Sequence, residues 1–84
     1  MVKFLVSIFD KKVQVFGNPV IAMNESDAVR MARTVVSSDD SQISLYPEDF
    51  TLYHVGNFND ATGVLEPINP IILTELVSLV KRDA

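Results

Sequence analysis

The sequence predicts an α+β protein, a small antiparallel sheet of about four strands with two helices packed on it, in a single domain spanning 1–84. Three observations carry that prediction. Val2–Phe9 alternates in two apolar registers, as a strand does. Asn24 opens a stretch whose apolar residues recur every three and four positions. Phe50–Glu66 reads as two strand-like runs joined by a short polar loop.

In the first stretch Val2, Phe4, Val6 and Ile8 share one register and Lys3, Leu5, Ser7 and Phe9 the other. Such a run is expected to be buried on both faces for most of its length. Asp10-Lys11-Lys12 is a polar turn, and Val13–Phe16 extends the strand region until Gly17-Asn18-Pro19 breaks it. Pro19 has no amide proton, so a strand over Val20–Met23 belongs at an edge.

Asn24 can cap the first helix, and Glu25 and Asp27 suit the positive end of its dipole. Ala28, Met31, Ala32, Val35 and Val36 form its apolar stripe, with Arg30, Arg33 and Thr34 away from it. Ser37–Ser41 ends the helix with side chains that compete for backbone hydrogen bonds.

Tyr46-Pro47-Glu48-Asp49 is a turn, and Phe50–Phe58 a strand. Asn59–Gly63 is a hairpin loop in which Gly63 accepts a positive φ, and Val64–Glu66 is the return strand. Pro67 and Pro70 are expected to stop that strand and Ile71–Lys81 to form the second helix. Ile72, Leu76 and Leu79 make one stripe of it, and Leu73, Val77 and Val80 another. One sheet face covers one stripe, so Leu73, Leu76, Leu79 and Val80 are expected to serve self-association, the alternative being a core helix with an incidental exposed leucine or valine. A small core points the same way, because a chain of this length buries only about 60–65% of its unfolded surface.

Composition excludes several classes. The chain is 48% hydrophobic and 21% charged, which is a folding composition. It has no cysteine, which removes disulfides and thiol chemistry, and a single histidine, His54. No cofactor or metal is expected. The apolar runs are far shorter than the roughly 20 residues of a membrane helix. Met1–Leu5 begins like a signal peptide, but Asp10, Lys11 and Lys12 interrupt it, so a cytosolic protein is expected. The net charge of −4 opposes tight whole-surface binding to DNA while allowing a local basic patch.

No constellation supports catalysis. Glu48-Asp49 lies in a turn without a third ligand or partner base. His54 lies in a strand with no nucleophile spaced to use it, and a half-buried strand histidine is expected. Walker, Rossmann, metalloprotease and EF-hand patterns are absent, so the chain is not expected to be an enzyme. Single-strand binders combine cations with stacking rings. Phe9, Phe16, Tyr46, Tyr53 and Phe58 are the available rings, most of them expected in the core.

The stretch Tyr46–Gly63, YPEDFTLYHVGNFNDATG, resembles the hallmark segment of the small non-structural protein of gokushovirus-type microviruses. That pattern runs aromatic or His, Pro-Glu-Asp, aromatic, any residue, Leu, aromatic, then apolar-Gly and an acidic loop ending Thr-Gly. Phe4–Asp10 and Asp27-Ala28-Val29-Arg30 are similar to the family's opening strand and middle helix, so the resemblance reaches from Lys3 to about Pro70. It implies a phage accessory protein of the host cytoplasm, absent from the mature virion. The role it implies is in viral DNA synthesis, through DNA binding.

Together these readings give an expected function: binding of single-stranded DNA by an oligomer. The chosen anchors are Lys11, Lys12, Arg30 and Arg33, with Phe16 stacking on a base. The alternative is a protein-interaction adaptor that recruits or regulates a phage or host replication protein without touching DNA. A small host-directed inhibitor is a third reading.

Overall fold

The computed structural model describes residues 1–38 and 41–80. Five antiparallel strands form one sheet: β1 (Val2–Asp10), β2 (Val15–Phe16), β3 (Val20–Ala22), β4 (Phe50–Asn59) and β5 (Leu65–Glu75). The order is β2-β1-β4-β5, and β3 also pairs with β1. β2 takes the Phe9–Asp10 end of β1 and β3 takes Phe4–Val6, so the two make one interrupted edge. Pro19 falls in the interruption, where its missing amide removes no ladder bond. The expected edge position of this segment holds.

Helix α1 (Glu25–Val36) begins where the sequence places it. The Asp27 amide donates to Asn24 Oδ1 at 2.9 Å, and Asp27 Oδ2 accepts from the Met23 amide at 2.9 Å. This reciprocal cap satisfies two amides at the helix entry. Ala28, Ala32 and Val36 are buried, packing on Val6, Phe50 and Leu52 of the sheet. A second helix, α2, spans only Gln42–Leu45 and leads into a 3-10 turn at Pro47–Asp49. The α+β class, the antiparallel sheet and the count of two helices therefore stand.

The helix expected over Ile71–Lys81 is not formed. β5 continues through Pro67 and Pro70 to Glu75, and Leu76–Leu79 is a single 3-10 turn. Two physical reasons account for the difference. A short apolar run rich in β-branched residues fits either period, and pairing with β4 decides in favour of the strand. β5 is an edge, and its register slips between His54 and Gly56, so Ile68–Pro70 bulge out where missing amides cost little.

That correction reassigns the expected interface stripe. Leu76 is fully buried and Leu79 is 7% exposed, both in the protein's own core, with Leu73 packed against it. Val80 alone of the four is exposed. Lys81, the end of the expected helix, lies outside the described residues.

The hairpin between β4 and β5 matches its expectation. Gly63 has φ +75°, and its amide donates to the Asn59 carbonyl at 2.7 Å. Asn59 Oδ1 accepts from the amides of Ala61 and Thr62 at 2.9 and 3.3 Å, closing the loop from inside. His54 is half-buried, as expected, its ring stacked on Phe4. Among the described residues no helix is long and apolar enough to cross a membrane.

Candidate nucleic-acid interface

The strand registers sort the side chains into two faces. Ile8 pairs with Leu52, and with Val6 these point to α1. Ser7 pairs with Tyr53, and Phe9 with both Phe16 and Thr51, so these leave the sheet on the other side. That side carries no helix among the described residues.

Three rings gather on it. Phe9 and Phe16 have centroids 4.7 Å apart, Phe16 and Tyr53 5.2 Å, and Phe9 and Tyr53 6.0 Å. The last two pairs meet edge to face, the arrangement that ring quadrupoles favour. Phe16 is 41% exposed, and Phe9 and Tyr53 are half-buried. Ser7 is buried beneath them, its hydroxyl donating to the Gly17 carbonyl at 2.7 Å. Phe58, Leu65 and Ile72 extend the same face, with Leu65 and Ile72 exposed. The expectation that most rings lie in the core is thus corrected for Phe9, Phe16 and Tyr53. Alternation alone cannot distinguish the two faces of a strand. The pairing of Ser7 with Tyr53, distant in sequence, is what assembles the cluster.

A charged edge borders the rings. Lys11 Nζ lies 3.0 Å from Glu75 Oε2, and the Thr51 hydroxyl donates to the same carboxylate at 2.9 Å. The Lys11 hydrogen bond, helped by Thr51 against partial burial, holds the Glu75 carboxyl below its ordinary range. Lys11 therefore sits beside the rings with its charge already matched.

The other expected anchors are elsewhere. Arg30 and Arg33 belong to α1, on the opposite side of the sheet from Phe16. Arg30 pairs with Asp27 at 2.9 Å. Asp27 is held below the usual carboxylate range first by the Met23 amide and then by Arg30. Lys12 lines a shallow depression with Asp10, Tyr46 and Asp49. Lys12 and Arg33 have no ion-pair partner among the described residues. The five expected DNA-contacting residues do not form one patch: Phe16 and Lys11 share the ring face, and Arg30 and Arg33 lie across the sheet.

The molecule is thus a small α+β fold with a helix on one face of its sheet and, among the described residues, a partly exposed aromatic cluster on the other. The chain belongs to the Phage ORF5 protein family, whose model matches residues 3–79. It is 33% identical over 75 residues to Protein ORF5 of Chlamydia phage 1, an alignment covering 84% of this chain and 78% of that one. The resemblance to the gokushovirus-type microvirus proteins is borne out by both. No solved structure matches.

Proposed function

We propose that this member of the Phage ORF5 family is a non-catalytic accessory protein of viral DNA synthesis that holds single-stranded DNA on its ring-bearing sheet face. The observation that supports this reading is the Phe9–Phe16–Tyr53 cluster, partly open to solvent. Stacking on such rings tolerates any base and contributes about 1–3 kcal/mol per base. With net charge −4 and Lys11 already paired, phosphate neutralisation supplies a minor share, so stacking leads. One chain offers a short platform, and an oligomer strings several along one strand in the host cytoplasm.

The test is the titration of a fluorescent oligothymidine with wild type, Phe16→Ala and Tyr53→Ala. Each substitution is expected to weaken binding by about 1–3 kcal/mol. Wild-type affinity in both variants, or no binding at low salt, sinks this reading.

A second reading is the adaptor that engages a phage or host replication protein without touching DNA. The ion pairing of Lys3 with Asp60, Lys11 with Glu75 and Arg30 with Asp27 favours it, because these cations are already engaged. Co-purification of a protein partner, with no nucleic acid, supports this alternative.

A further inference from the structure

A groove of about 520 Å³ runs between α1 and the β2–β3 edge, on the helix side of the sheet. Met31, Ala32 and Val35 line one wall, Val15 and Val20 the other, and Val6 the floor. The sequence explains the groove. α1 turns Ala28 and Ala32, the smallest side chains of its stripe, toward the sheet, and Gly17–Pro19 contributes no strand to the rim.

Three observations say what fits it. β2 and β3 pair with β1 on one side, and no strand lies along their other side among the described residues. Their outer main-chain groups are therefore available to an added strand. The lining, in contrast, has its polar groups occupied. Asp10 Oδ1 accepts from the amides of Lys12 and Val13 at 2.9 and 3.4 Å, and Ser7 donates to Gly17. No buried side-chain nitrogen or oxygen among the described residues lacks a partner. The side chains entering the groove must then be apolar. Charge marks the end of the occupant. The groove adjoins the depression holding Asp10, Asp49 and Lys12, where two carboxylates face one ammonium on a chain of net charge −4.

We propose that the β2–β3 edge and this groove bind an extended segment of a partner protein, with alternate apolar side chains followed by basic residues. The segment adds a strand antiparallel to β2–β3, its apolar residues enter the groove, and its C-terminal basic end meets Asp10 and Asp49. Val15 and Val20 both face the groove opposite Asp10 and Val6, which lie four residues apart on one face of β1, so an added strand keeps the alternation of β1. The inference gives the adaptor reading its partner chemistry. It does not rest on base stacking, although Phe16 borders both the groove and the ring cluster.

The test is a titration of the isotope-labelled protein with acetylated Val-Ser-Val-Ser-Val-Lys-Lys, followed through the backbone amides. Saturable shifts confined to Val15–Ile21 and the α1 flank of the groove are expected. Val20→Asp puts a charge in the wall at a residue 47% exposed, and should weaken binding about tenfold or more with the melting temperature unchanged. Val15→Asp, at 58% exposed, makes the same test should Val20→Asp fail to fold. Asp49→Lys should weaken the Lys-Lys peptide and leave a Ser-Ser version unaffected. No saturable shift at millimolar peptide, or wild-type affinity in the wall variants and Asp49→Lys, overturns the proposal. Tyr53→Ala keeps the two sites distinguishable, since Tyr53 belongs to the ring cluster and does not line the groove: it should weaken oligothymidine and leave peptide binding unchanged.

Discussion

Lys11 and Glu75, 64 residues apart in sequence, meet at 3.0 Å and tie the first turn to the end of β5. Thr51, buried between these segments, donates to the same carboxylate. The contact joins three separate parts of the chain at the margin of the ring face, and it sets a pH dependence. Glu75 is depressed in the folded protein relative to its ordinary 4.5, so its contribution is complete above that value. It is lost as pH falls through the lower folded value. Melting curves of wild type and Glu75→Gln should differ at neutral pH and converge as pH falls through the depressed Glu75 value. A constant difference down to strong acid would contradict the assignment.

Charge substitutions should act unequally on DNA binding. Lys11 borders the ring face, and Lys11→Ser should lower the salt dependence by up to about one counterion. Arg30 and Arg33 lie on α1 across the sheet, and their joint replacement by Ser should leave it unchanged. A salt titration of Lys11→Ser and of the double arginine variant separates these outcomes, and equal slopes in both would contradict the assignment.

Leu76 is expected to behave as a core residue. Leu76→Ala should cost about 2–5 kcal/mol in denaturant unfolding, because a fully enclosed side chain leaves a cavity. Val77→Ala, at 49% exposed, should cost far less. Sedimentation of Val77→Ala and wild type should agree, since no helical stripe exists here to hold subunits together.

Two glycines should respond differently to a methyl group. At Gly63 a Cβ has open space, and the cost is the left-handed backbone, about 1–2 kcal/mol for alanine. At Gly56 a Cβ would lie 2.9 Å from the Glu66 carbonyl oxygen, which forces β4 and β5 apart. Gly56→Ala should therefore be the more destabilising, and should shift amide resonances along Asn57 and Glu66. Thermal melts and amide spectra of the two variants check this ranking.

Legibility in the sequence followed the range of the forces involved. Asn24, Asp27, Asn59 and Gly63 act on their immediate neighbours, so the start of α1 and the closing loop could be read directly. Ile71–Leu79 could not, because its conformation is decided by β4 and by the core that Leu76 enters. The candidate site was legible in part. Phe16 can be picked out as a stacking residue, whereas the strand-like runs that hold most of the rings point to the core. The common face of Phe9, Phe16 and Tyr53 depends on a register that aligns Ser7 with Tyr53. The basic residues were recognised by type, while their ion-pair partners, such as Glu75 for Lys11, come from the far end of the chain.

The position of β1 between β3 and β4 has a consequence for how the molecule comes into being. During synthesis β1 finds β2 and β3 soon after it emerges. Its longer pairing, from Val2 with Asn59 to Asp10 with Phe50, waits for β4. The core closes later still, when Leu76 and Leu79 arrive beneath α1. Pairings so distant make folding slow for a chain of this size. A nascent chain halted before Leu76 thus presents β1 and α1 over an unsealed interior, and chaperones should engage that intermediate far more than the finished domain.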